Sequence, residues 1–108
     1  MSEHRAALTW KQGDKGFELK TFCRNHTVRF ASGAEVPASS APDWGGDPAR
    51  VDPEAMLVAS LQSCHMLSFL ALCAREGLNV TTYEDNAVGH LERNAERKFA
   101  VTRIELHP

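Results

Sequence analysis

A chain of 108 residues holds one domain with a single core, and its 43% apolar content excludes a disordered tail. Twelve lysines and arginines stand against 14 acidic residues, so there is no broad positive field to hold a nucleic-acid backbone, and no nucleic-acid partner is expected. Three cysteines, an odd count without a CxxC pair, fit free thiols in a reducing, cytoplasmic compartment better than a disulfide framework or a zinc site.

The polar start Met1-Ser2-Glu3-His4-Arg5 lacks the basic segment and apolar stretch of an export signal. Residues 6–30 predict short antiparallel strands: Leu8 and Trp10 share one parity, as do Phe17 and Leu19 after the turn-like Gly13-Asp14-Lys15-Gly16. Residues 24–30 predict a further extended run. Ser32-Gly33-Ala34 then turns the chain into Glu35-Val36, and Pro37 is expected to end that strand. With Pro42, Gly45, Gly46 and Pro48, residues 38–51 read as a surface loop.

Asp52-Pro53-Glu54 opens a helix, with a capping aspartate, a proline where its missing N–H does no harm and an acid in the first turn; Gly77 offers the C-terminal stop. Between them, residues 55–74 contain no Asp, Glu, Lys or Arg, and the apolar positions surround the helix, which predicts burial on most sides. The length would also span a bilayer. Gln62, three serines, His65 and two cysteines interrupt the stretch, however, and polar groups are costly in lipid, so no membrane partner is expected. Residues 79–83 and 86–93 read as extended, and Asn94-Ala95-Glu96-Arg97-Lys98 as a turn into a last strand over 99–107.

The segment Asp52-Pro53-Glu54-Ala55-Met56-Leu57-Val58-Ala59-Ser60-Leu61-Gln62-Ser63-Cys64-His65-Met66-Leu67 resembles the central-helix signature of the OsmC/Ohr family of peroxidases. Upstream, Cys23-Arg24-Asn25-His26-Thr27-Val28-Arg29-Phe30-Ala31-Ser32-Gly33 is similar to the family's arginine-bearing strand, and Tyr83-Glu84-Asp85-Asn86-Ala87-Val88-Gly89 to the strand after the helix. The resemblance implies one OsmC-like domain over 1–108 with an α+β fold, antiparallel sheet packed on a long buried central helix, in an interlaced homodimer with active sites at the subunit boundary. It further implies a thiol-dependent peroxidase of oxidative-stress defence, without cofactor or metal. Such an enzyme reduces organic hydroperoxides, and hydrogen peroxide less well, and is recycled by a dithiol reductant. Residue by residue, it makes Cys64 the peroxidatic cysteine, Arg24 the thiolate-stabilising arginine and Glu54 the carboxylate partner of that arginine. The family's second, resolving cysteine falls beyond Pro108, so either the natural product is longer or the protein lacks that recycling step.

The residues support part of this by their own chemistry. A free cysteine, with a pKa near ~8.5, is only about 3% thiolate at pH 7, so a cysteine that attacks peroxide needs a cation beside it. Arginine suits the task, staying charged and offering a rigid fork of donors. Arg24 shares strand parity with Val28 and Phe30, which points its guanidinium inward toward an anion; the alternative is that it reaches out to solvent. Glu54 and Cys64 lie ten positions apart, about 15 Å along a helix. They can meet one arginine only across a dimer two-fold with antiparallel helices, or if the helix is broken.

The other candidates read as structural. Cys73 falls on the opposite helix face from Cys64, about 13 Å along, too far for a disulfide, and Cys23 has the parity opposite to Arg24. His65 points about 100° away from Cys64 and reads as a packing residue. Cys23, His26, Cys64 and His65 do not converge as zinc ligands. Met56, Leu57, Leu61, Met66, Leu67 and Phe69 could line an apolar substrate pocket or serve as core. Two other function classes remain: a non-catalytic redox sensor or small-molecule-binding protein of the same fold, and a structural domain with an inert cysteine.

Overall fold

The computed structural model describes residues 2–95 and 98–108. The chain divides into two compact units, Met1–Pro53 and Glu54–Pro108.

In the first unit, β1 (Ala6–Thr9), β2 (His26–Phe30) and β3 (Glu35–Ala38) form an antiparallel sheet in the order β1-β2-β3. Leu8 faces Val28, and Val28 faces Val36, so three apolar residues line up across the strands. Val28 is buried while Leu8 remains exposed. The predicted turn after β2 is present: the Gly33 N–H donates to the Phe30 carbonyl at 2.9 Å, and the Phe30 N–H to that of Ala34 at 2.9 Å. Pro37 does not end the strand. It pairs with Thr27, because β3 lies at the sheet edge, where a missing N–H is tolerated.

No strand forms at Phe17 and Leu19. Phe17 stacks instead between Trp10 and Phe22, with ring centroids 6.0 and 5.8 Å away, and the Trp10 indole N–H donates to the Cys23 carbonyl at 2.7 Å. Alternation alone did not reveal that this segment has no strand partner. Nor does the loop over 38–51 lie wholly on the surface. Ala38 and Ser39 are fully buried, because the Ser39 N–H donates to the Val51 carbonyl and the Val51 N–H to that of Pro37, each at 3.0 Å. A short 3-10 turn, Pro42–Trp44, follows the buried pair.

The second unit consists of α1 (Pro53–Arg75) and a hairpin of β4 (Val88–Arg93) and β5 (Phe99–Glu105). The helix begins and ends as its sequence predicts. Pro53 opens it, and it closes with paired bonds from the Leu78 N–H to the Cys73 carbonyl (2.8 Å) and from the Gly77 N–H to the Ala74 carbonyl (3.1 Å). That closure needs a left-handed residue, and Gly77 supplies it with φ +76°. The turn expected at 94–98 lies partly outside the described residues. Of the extended runs expected after the helix, 79–83 is irregular and 86–93 becomes β4 from Val88 onward.

The single chain leaves the helix far more exposed than its composition predicts. Cys73 is its one buried residue among those described, whereas Leu57, Leu61, Leu67, Phe69 and Leu72 are all between 42% and 59% exposed. By length and composition α1 could cross a membrane, a property it shares with the core helices of soluble proteins.

Candidate functional site

Cys64 sits near the middle of α1, and of the three free cysteines it is the exposed one; Cys23 is half-buried and Cys73 buried. Helical geometry explains why Cys73 does not share that exposure, since nine positions place it on the other side of the helix. The helix runs unbroken from Pro53 to Arg75, so Glu54 in its first turn and Cys64 remain about 15 Å apart within one chain. That removes the broken-helix alternative. The Oε2 atom of Glu54 is buried with no hydrogen-bond partner among the described residues.

Arg24 belongs to the first unit and lies two residues before β2, not within it. Strand parity therefore does not set its direction, and Phe30, of the same parity, is 40% exposed. Local carbonyls hold the side chain instead. Nη1 donates to the Phe22 carbonyl at 2.7 Å and Nη2 to that of Leu19 at 2.6 Å, while the guanidinium carbon lies 3.9 Å from the centre of the Phe22 ring. Gly45 packs against that guanidinium, where a Cβ would meet the same carbon in ordinary contact at 3.4 Å, and its φ of +81° is what favours glycine at the position. The fork is half-buried and, among the described residues, has N–H groups to spare for an anion.

Arg24 also lines two cavities. One, of about 340 Å³, is walled by Trp10, Phe17, Phe22 and Pro53, with Cys23 and His26 at its edge. The other, of about 320 Å³, is polar and includes Lys15, Lys20 and Asp47. His26 is tied by Nδ1, 2.9 Å from the Arg24 carbonyl. Among the described residues no group of three or more His, Cys, Asp or Glu side chains could hold a metal ion.

Sequence reasoning passed over a further pair. Tyr83 and Asp85 line a cavity against α1, and desolvation first, with the Asp85 charge second, raises the Tyr83 phenol above its ordinary value of 10.0. No periodicity marks the pair in the sequence, because both residues lie in the irregular segment before β4.

Comparison with known proteins adds to this geometry. Residues 45–108 match the family model described as OsmC-like protein. The solved structure of an OsmC-like protein of unknown function from Vibrio cholerae is similar to the chain at 42% identity with a TM-score of 0.92, covering 98% of this chain and 72% of that one. No curated protein matches.

Proposed function

The chain belongs to the family of OsmC-like proteins, and on that premise we propose that it is a thiol-dependent peroxidase whose Cys64 thiolate reduces organic hydroperoxides. One observation carries the reading: of the two free cysteines that α1 holds within the family-matched residues 45–108, Cys64 is exposed and Cys73 is buried. The thiolate attacks the terminal peroxide oxygen, the O–O bond breaks, and the leaving alkoxide takes a proton to depart as an alcohol. Cys64 is left as a sulfenic acid. A second thiol then displaces water from that sulfur to give a disulfide, which a dithiol reductant returns to two thiols.

Arg24 is the cation that stabilises the thiolate, and Glu54 is its carboxylate partner. The support for these roles is chemical. Arg24 is held by carbonyls that leave part of its fork unused, and Glu54 presents a buried carboxylate oxygen with no donor among the described residues. Because Glu54 and Cys64 are far apart on an unbroken helix, the working unit is a homodimer with α1 helices antiparallel across a two-fold. The exposed leucines of α1 give such an interface its apolar area. Three free thiols suit a reducing cytoplasmic setting, in keeping with stress defence.

The test is to treat the protein with one equivalent of cumene hydroperoxide, trap sulfenic acid with dimedone and map the adduct by mass spectrometry. Label on Cys64 supports the assignment. Label confined to Cys23 or Cys73, or none at all, defeats it.

A further inference from the structure

Ala59, Gln62, Ser63 and Met66 recur along one face of α1 at the spacing of successive helical turns. With Tyr83 and Asp85 they line a cavity of about 280 Å³ within the second unit. Two polar atoms there are unmatched: Tyr83 Oη and Asp85 Oδ2 are buried and have no hydrogen-bond partner among the described residues.

The remaining acceptors of Asp85 are engaged. Its Oδ1 accepts the His107 backbone N–H, and its carbonyl accepts the Gln62 amide N–H at 2.9 Å. The His107 ring is held by the Asn86 carbonyl, 2.7 Å from its Nδ1. Among the described residues no ion pair reaches Asp85, and the Arg103 guanidinium lies 3.3 Å from Glu105 instead. A water molecule would complete the hydrogen bonding at Oδ2, whereas a cationic donor would match the carboxylate's charge as well and bond it more strongly.

We propose that this cavity binds a small organic cation, an alkylammonium or alkylguanidinium, whose N–H groups bond Asp85 Oδ2 and the Tyr83 oxygen while its alkyl part rests on Ala59 and Met66. The site is separate from the peroxidase reading and does not need Cys64 to react. Desolvation first, and the Asp85 charge second, hold the Tyr83 phenol above its ordinary value of 10.0. A bound cation offsets the Asp85 charge and donates to the phenol oxygen, which favours the phenolate.

Tyr83 is the chain's single tyrosine, so ultraviolet absorbance follows its ionisation without assignment. With millimolar ethylguanidinium, which stays charged through the tyrosine range, the phenol is expected to ionise at lower pH than in buffer alone. The neutral isostere ethylurea is expected to leave it where it was. Asp85→Asn, which keeps an oxygen for the His107 N–H, is expected to weaken ethylguanidinium binding by about tenfold or more in an NMR titration. If that variant does not fold by circular dichroism, the wild-type comparison of the two probes decides alone. Equal responses to both probes, no response to either, or undiminished binding by folded Asp85→Asn overturns the proposal. So does a phenol that titrates normally at high protein concentration and shifts upward on dilution, because the cation would then be a side chain of a second copy.

Discussion

Gly89 and Val58 approach so closely that a Cβ added at residue 89 would lie 2.5 Å from the Val58 Cγ2 atom. Strand β4 thus passes over α1 at a point where only a hydrogen fits. A side chain there must push the helix and hairpin apart, so Gly89→Val is expected to destabilise the fold by about 1–3 kcal/mol, the usual cost of overpacking. Urea unfolding checks the value, and the double variant Gly89→Val with Val58→Ala should recover part of the loss.

The loop ahead of β2 is held by the Trp10 indole bond to the Cys23 carbonyl and by the stack of Trp10, Phe17 and Phe22. Trp10→Phe retains a ring but removes the donor. A stability loss of about 0.5–1.5 kcal/mol is expected. Faster hydrogen exchange at residues 19–24 would show that the Arg24 anchorage loosens with it.

Stability should fall above pH 10, in part through Tyr83. Its pKa in the folded chain is raised above the ordinary phenol value of 10.0, so between the unfolded and folded values the native state retains a proton that the unfolded state has released. The unfolded state then binds fewer protons, and stability declines as pH rises through that window, while below it the contribution is complete. Urea midpoints at pH 9 and pH 11 are expected to differ less in Tyr83→Phe than in the wild type. An equal difference in both would show that Tyr83 has no part in it.

Leu67, at 59% exposure, is the most exposed leucine of α1. In the proposed homodimer it becomes buried against the second copy, so Leu67→Lys is expected to convert a dimer into a monomer in sedimentation velocity. A dimer unaffected by this change would place the two-fold elsewhere.

Much of the fold could be read in the residues. The start of α1 at Pro53 and its end before Gly77 were legible because each signal acts locally, through a missing N–H and a left-handed backbone. Ser32-Gly33 gave the β2–β3 turn for the same reason. The failures concern partners that sequence does not display. Phe17 alternates like a strand residue but has rings for neighbours, and Pro37 continues β3 because that strand is at the edge. Of the candidate site, the place of Cys64 on the central helix was legible from the motif, whereas the Arg24 carbonyl cradle depends on a loop geometry that periodicity does not encode. Tyr83 and Asp85 went unremarked as a pair because their burial arises from contact with α1.

The most direct test of the central claim is multiple-turnover reduction of an organic hydroperoxide by the 108-residue chain with a dithiol reductant, beside its Cys64→Ser variant. Sustained turnover by the wild type that is lost in the variant, with an organic hydroperoxide preferred over hydrogen peroxide, is the expected result. Turnover that survives in Cys64→Ser, or a wild type that never reacts with peroxide, would contradict the account, and a single stoichiometric oxidation of Cys64 without turnover would favour a redox sensor over a peroxidase.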